Sequence, residues 1–589
     1  MVVSFKSDEW VAANIIPLQK LLEKTVLANE SQAHRCIAPL LQRMFSIYPD
    51  SKPDEEGKEP SGEASASTIG PADEGKTLFA WSSATIEEGL RGGGNGLQGA
   101  ILLLQCITQS QPSRLEAFFI PLGRVLTRLL KEHLGGNTTE ASSPEACRTL
   151  LEDIIRLLRL RVADLGEQRR WYLSSLIQIV EKSPSTQLCR TVLDVIRHWV
   201  LIDRALAHPV PREKATILSK MMSFERRDDP TLYQDFLSLI YDIYSDPTFA
   251  RSELTVRLEH AFLLGCRDRD PAVRGRFLDL FDRSISTSLY ARLHYIIGVQ
   301  SWEALGETIW IHQALDLLLG SADQEQPLFQ PSARYTVHPA ESSAARTVQL
   351  LSSFKSRALL AATRKLVYAD ANTTQSIWIA AFKTAWECLG RREQHDINRY
   401  MIVLLSKEYH LGAVDRRPNN IQMLLGGLLA CSPTPSVPPH LVRYLGRTFN
   451  AWHISAELLQ DAVAEYREEQ PQIQESTLDA LAELYSDLSE DDLFYGLWRR
   501  RCEFALSIVK LQSHSAAAFY PETNIAISFE QAGMWAQAQQ MYEAAQIKAR
   551  TGVMPFTESE YAVWEDHWVN CATKLQQVSI QIQLAHRSS

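Results

Sequence analysis

Two glycine-rich strings come nearest to chemistry. Gly70–Thr77 (GPADEGKT) matches the phosphate-loop pattern, in which backbone amides cradle phosphates, the lysine neutralises them and the threonine reaches magnesium. That chemistry needs a buried strand before the loop and a helix after it. The preceding residues are EPSGEASASTI, Asp73 and Glu74 would set two negative charges inside the cradle, and no apolar strand ending in Asp follows. A nucleotide-hydrolysing enzyme is therefore the remote reading. Gly94–Gly99 (GNGLQG) matches the dinucleotide-binding pattern and precedes a helix expected over 100–109. The TIEEGLRGG before it reads as a helix end and not a strand, so a flexible helix–helix loop is the better reading.

The remaining chemistry-bearing residues are scattered. Asp491–Asp492 and Glu468–Glu469 have the composition of an acid/base pair, but such pairs ordinarily sit on solvated helix faces or at helix starts. The 15 histidines include no HExxH and no pair at metal-ligand spacing, which makes them core or surface histidines. The nine cysteines lie at least 41 residues apart, so no sequence-local zinc site exists; they read as small buried core residues in a reducing compartment. Arg499–Arg501 beside Tyr495 and Trp498 has the makings of a nucleic-acid contact, yet on an acidic chain it reads as a salt-bridged helix face. Sequons at Asn29, Asn137 and Asn372 mean little without a secretory signal. No catalytic, cofactor-binding or metal-binding residue is assigned, and no cofactor is expected.

Composition bounds the elements that must carry these residues. Glycine (27) and proline (26) are scarce in 589 residues, which favours long helices with short connections. A net charge of −10 argues against a broad electrostatic footprint for nucleic acid. The opening MVVSFKSDEW has no apolar signal core and no run of 18 apolar residues occurs, which predicts a soluble intracellular chain without a membrane partner.

Apolar spacing is helical almost throughout, predicting an all-α protein. In 148–161, Leu150, Leu151, Ile154, Ile155, Leu157 and Leu158 form one stripe; in 187–201, Leu188, Val192, Val195, Ile196, Trp199 and Val200 form another. Consecutive pairs without a closing pattern predict a solenoid. In 266–281, Asp270 is set to cap a helix beginning at Pro271, with Val273, Phe277, Leu278 and Phe281 buried, a pattern that resembles the second helix of a HEAT repeat. Farther on, Phe529, Gly533, Trp535, Ala538, Tyr542 and Ala545 have tetratricopeptide spacing, placing Gly533 where two helices meet and the Trp535 ring in the groove between them.

The expected organisation is HEAT-like helices over 1–49, a disordered acidic linker over 50–77, a HEAT-like α-solenoid over 78–430, and tetratricopeptide-like repeats over 440–577. The linker holds eight acids and three lysines but one large apolar residue, Ile69, too little to offset ordering entropy. Residues 320–345 read as a crossover, and the four prolines of 431–439 (CSPTPSVPP) as a boundary.

Three strings carry a family resemblance: Leu493–Cys502 (LFYGLWRRRC), Ala526–Glu543 (AISFEQAGMWAQAQQMYE) and Ala545–Trp568, which ends in Trp564-Glu565-Asp566-His567-Trp568. They resemble the FAT region of the transcription-associated pseudokinase scaffolds, the TRRAP family, relatives of the phosphatidylinositol-kinase-like kinases; residues 80–480 are compatible with that family's HEAT region. The resemblance implies a non-catalytic scaffold subunit of SAGA-type histone acetyltransferase complexes. Its implied partners are other subunits and transcriptional activators, and its implied location is the nucleus. No DFG, HRD-type loop or glycine-rich kinase lobe follows the FAT strings. Alternatives are the helical scaffold of another kinase of that superfamily or a HEAT-repeat transport receptor. Two departures from the family pattern are expected to be aberrant: an insertion over 503–521, read as a translated intron, and an unrelated tail over 578–589, read as a wrong splice or truncated gene.

Overall fold

The computed structural model describes residues 6–27, 31–47, 71–92, 96–136, 143–204, 207–327, 347, 350, 352–465, 471–497, 520–552 and 558–577. Among these the protein is all-α, with one isolated β-bridge between Pro327 and Lys355. The chain divides into two compact units, Met1–Phe277 and Leu278–Ser589.

In the first unit the helices used below are α1 (Ile15–Val26), α2 (Pro71–Gly92), α3 (Leu97–Ser110), α4 (Phe119–Gly135), α5 (Pro144–Leu160), α6 (Gln168–Lys182), α7 (Thr186–Arg197), α8 (Pro211–Met221) and α9 (Pro230–Ser245). Their ends are written in the sequence. Ser143 accepts from the Ala146 amide ahead of Pro144, and Asp229 accepts from the Thr231 amide ahead of Pro230. Each supplies an oxygen to an otherwise orphaned donor, while the proline fixes φ where no donor is needed. Gly136 ends α4 at φ 71°, a left-handed conformation that glycine adopts without a side-chain clash. The stripes expected in 148–161 and 187–201 are buried at every named apolar position.

Polar ties join helices about one repeat apart. The Trp171 indole donates to Thr127 Oγ1 (3.1 Å), and the Arg227 guanidinium donates to the Ser183 and Val180 carbonyls (2.7 and 2.6 Å). Arg190 donates to Thr231 Oγ1 (2.6 Å), and Arg267 to both oxygens of Glu225 (2.6 and 2.7 Å). These partners lie 41 to 47 positions apart, matching the 40–47-residue period of HEAT repeats.

Helix α10 (Pro271–Ser284) spans the boundary between the two units. Asp270 accepts from the Ala272 amide (2.9 Å), as its Asp-Pro start predicts. Phe277, Leu278 and Phe281 are buried, but Val273 is only half-buried, because the first turn of the helix lies near the surface.

The second unit continues with α11 (Ile311–Leu319), α12 (Ser356–Val367), α13 (Ala371–Glu387), α14 (Arg391–Leu405), α15 (Asn420–Leu429), α16 (Pro439–Thr448), α17 (Trp452–Glu465), α18 (Pro471–Leu488), α19 (Pro521–Gln531), α20 (Trp535–Arg550) and α21 (Glu558–Lys574). The proline-rich segment at 431–439 connects α15 to α16 and is pinned from both ends. The Trp386 indole donates to the Pro433 carbonyl (3.0 Å) and the Asn398 amide to the Ser436 carbonyl (2.9 Å).

Three expectations need correction. Helix α2 begins at Pro71, so the stretch 71–77 is helical and not part of a disordered linker. Gly533 is exposed with φ 71°, and a Cβ there would meet nothing within 4 Å. It terminates α19 by adopting the left-handed region, and does not serve a close helix approach. Trp535 is the first residue of α20, as expected, but is half-buried, with Lys574 Nζ 5.7 Å from its ring centroid. The buried positions of that hairpin are Thr523, Ala526, Ile527 and Glu530 on α19 and Ala538, Tyr542, Ala545 and Ala549 on α20. Of the insertion expected over 503–521, residues 503–519 lie outside the described residues, while Tyr520 is buried and Pro521 begins α19; the tail over 578–589 lies outside them, as do 48–70 and 328–346.

Candidate functional site

Among the described residues, both glycine-rich strings fall on or beside helices. Pro71–Thr77 makes up the first two turns of α2, so these residues are helix and not the loop that a phosphate cradle requires after a strand. In the second string Gly96 precedes α3 and Gly99 lies inside it, a turn earlier than the helix start expected from sequence. A Cβ at Gly99 would run into the Val26 carbonyl oxygen of α1, and one at Gly89 would lie 2.6 Å from the Gly96 carbonyl oxygen. These glycines let three helices touch backbone to backbone, which is the physical reason for the string.

The other candidates disperse. Asp491 and Asp492 are exposed at the start of a helix over 491–497, while Glu468–Glu469 and Arg499–Arg501 lie outside the described residues. Tyr495 is buried, so it offers no ring for base stacking, and burial pushes its hydroxyl well above the usual tyrosine range. Of the cysteines, Cys36 and Cys388 are exposed, correcting the expectation that all are core residues. Burial pushes the Cys106, Cys431 and Cys571 thiols up to about 12, so none is a ready nucleophile. His410 follows the core reading: its Nε2 lies 2.9 Å from the Leu404 carbonyl, and burial pushes it down to about 4. No group of three or more metal-ligating side chains occurs among the described residues, and no described helix is long and apolar enough to cross a membrane.

The densest polar cluster was not marked by any motif. Glu530, on α19, is fully enclosed and accepts from Tyr542 Oη (2.7 Å) on α20. It lies 2.8 Å from His567 Nδ1 and accepts from Asn570 Nδ2 (3.2 Å), both on α21; Tyr495 is a further donor. Phe494 stacks on His567 with centroids 4.8 Å apart. A second shared carboxylate, Glu560, accepts from Thr523 Oγ1 (2.8 Å), whose oxygen accepts in turn from the Trp564 indole (2.7 Å). Glu560, Trp564, His567 and Cys571 recur at steps of four, three and four, so one face of α21 delivers them all inward. That periodicity was the available signal; the polar letters concealed it. A carboxylate this enclosed admits no substrate, so its chemistry is cohesion.

A cavity of about 190 Å³ lies beneath the proline-rich connection, walled by Pro435, Val437, Pro439, Val442, Leu458 and Leu459. No titratable side chain lines it, so it provides no acid, base or metal ligand.

Known proteins give this geometry its context. Residues 1–431 match the family model described as the Tra1 HEAT repeat ring region. The chain belongs to the Tra1 family. It is 33% identical over 99% of its length to the SAGA complex/NuA4 acetyltransferase complex subunit Tra1 of Schizosaccharomyces pombe. It is 31% identical over 98% of its length to the same-named subunit of Saccharomyces cerevisiae, and 27% identical over 96% to the human transformation/transcription domain-associated protein. The chain spans 16%, 15% and 17% of those three proteins respectively. Within this Tra1-family chain, the three strings that carry the C-terminal resemblance supply Phe494, Tyr495, Glu530, Tyr542 and His567. They converge on one buried carboxylate.

Proposed function

We propose that this chain is part of a non-catalytic scaffold subunit of SAGA-type histone acetyltransferase coactivator complexes, acting in the nucleus and contacted by transcriptional activators. The observation that carries the reading is the match over nearly the whole chain to a Tra1 subunit named for the SAGA and NuA4 complexes. Two features support a role without catalysis. The polar constellation around Glu530 is closed to solvent, and the phosphate-loop letters are helical over 71–77. Helix pairs that pack mainly on their neighbours offer surface suited to assembly. The Tra1 ring match disfavours a transport receptor.

The deciding experiment is affinity purification of the native protein from nuclear extract, with mass spectrometry of what comes with it. Recovery of acetyltransferase-complex subunits is the expected result; their absence overturns the proposal. In parallel, the purified chain should bind no ATP, and Lys76→Ala should change nothing. Saturable micromolar binding abolished by that substitution would restore the enzyme reading.

A further inference from the structure

The net charge of −10 hides a local segregation of sign. Helices α4, α6 and α8 pack side by side in one row of the first unit, and α5, α7 and α9 pack in a companion row. Each member of the first row carries three Lys or Arg and one Asp or Glu. The companion row holds five such cations against six acids. Positive charge is concentrated in a single layer.

The acids of that layer are engaged within it. Glu181 pairs with Lys220 (2.7 Å), and Glu213 pairs with Arg169 (3.6 Å) while accepting from the Val210 amide (2.9 Å). Glu132 is half-buried and engaged, and the exposed Glu167 borders the layer just ahead of α6. Left over are Arg124 and Lys131 on α4, Arg170 on α6 and Arg212 on α8, all exposed and without an ion pair among the described residues. Seven residues separate Arg124 from Lys131, so they share a face at about 10 Å along the helix. The Trp171–Thr127 bond and the Arg169–Glu213 pair align the N-terminal halves of the three helices. Arg124, Arg170 and Arg212 therefore follow one another at intervals of one helix width, about 8–10 Å.

The surface between these cations is neutral and hydrogen-bonding. Ser174 and Gln178 continue the row of Arg170 at steps of four, and both are exposed. Among the described residues α6 and α8 expose no large apolar side chain, and α4 exposes one, Ile120, in its first turn.

We propose that this face binds the phosphate backbone of double-stranded DNA without reading its sequence. Phosphodiester oxygens are held by Arg and Lys together with neutral donors such as Ser and Gln, which is the set displayed here. An acidic protein segment would match the charge, but peptide docking draws its affinity from buried apolar anchors, and α6 and α8 offer none. The acidity of the whole chain argues against a broad footprint; four free cations on three adjacent helices make a local one. The face is defined by charge and exposure, so it stands or falls independently of the scaffold reading.

The test titrates the whole chain into a short fluorescein-labelled DNA duplex, read by anisotropy from low to physiological salt. With four phosphates neutralised, the slope of log affinity against log salt should be about −3 to −4. Arg170→Glu with Arg212→Glu should weaken low-salt binding by at least about tenfold, and Arg170→Gln with Arg212→Gln should flatten the slope by about 2. Lys20→Glu with Lys24→Glu, an equal charge change at exposed positions of α1, should alter neither affinity nor slope. Every substituted side chain is exposed, so circular dichroism should be unchanged throughout. Absence of binding at low salt overturns the proposal, as does a loss in the α1 variant equal to that in the Arg170/Arg212 variant. Displacement of the duplex by poly-glutamate at equal charge concentration would assign the face to an acidic protein and overturn it as well.

Discussion

The two units solve the same problem, stacking short helices, with different interiors. In Met1–Phe277 the buried stripes are mostly apolar, with Glu152 and Lys214 the charged exceptions, and polar groups also work between repeats, as Arg227 does on the Val180 and Ser183 carbonyls. In Leu278–Ser589 more charge is drawn inside. Arg292, 2% exposed, pairs with Asp282 and donates to the Leu317 carbonyl (2.7 Å); Asp316 pairs with Arg364; Glu530 gathers its donors at the C-terminal hairpin. The contrast shows that one repeat architecture tolerates either mostly non-directional packing or directional polar networks. The consequences of damage differ. An apolar site loses contact area, whereas a network member leaves its partners orphaned.

Four changes probe that contrast, beginning with the largest. Trp199 is fully buried and meets Tyr172 edge-on with centroids 6.2 Å apart. Trp199→Ala should cost about 4 kcal/mol, read as a lowered unfolding midpoint in urea, with faster hydrogen exchange in α6 and α7. Unchanged exchange there would mean that the stack does not rely on this ring. Glu530→Leu should cost about 3 kcal/mol despite adding apolar volume, because Tyr542, His567 and Asn570 lose their common acceptor. Exchange should accelerate over 520–577. If Glu530→Leu proves neutral, the network adds no cohesion and the contrast between the units collapses.

The third concerns pH. Burial pushes the Asp316 carboxyl up to about 6, with Arg364 opposing the shift. A carboxyl raised on folding binds more protons in the native state, so its penalty is absent below about pH 4 and complete above about pH 6. Relative to Asp316→Asn, the unmodified protein should therefore gain stability as pH falls through that window, by on the order of 2 kcal/mol, measured by thermal unfolding of both proteins. A constant difference across the window would refute the assignment. The smallest effect belongs to Trp535. Half-buried beneath Lys574, it should cost only about 1 kcal/mol on replacement by Ala, and no more than Lys574→Ala and partial desolvation account for together.

The sequence by itself determined the all-α class and several helix starts, though not those at Pro71 and Leu97. Capping and periodicity are local properties: Asp270 next to Pro271, or the stripe from Leu150 to Leu158, is legible because backbone donors and apolar faces repeat within a single turn. It also carried the family, because the strings around Trp564 and His567 are specific. Only the tertiary structure decided what those residues do. Tyr542 was legible as a packing position from its tetratricopeptide spacing, whereas Glu530 and His567 became interior only when α19, α20 and α21 closed on one carboxylate. Trp535 and Val273 went the other way, toward solvent, since helix periodicity fixes a face but not how deeply the next helix covers it. The glycine string at 94–99 shows the same limit. Its letters permit close backbone approach, and whether a phosphate or the Val26 carbonyl makes that approach depends on the element packed against it.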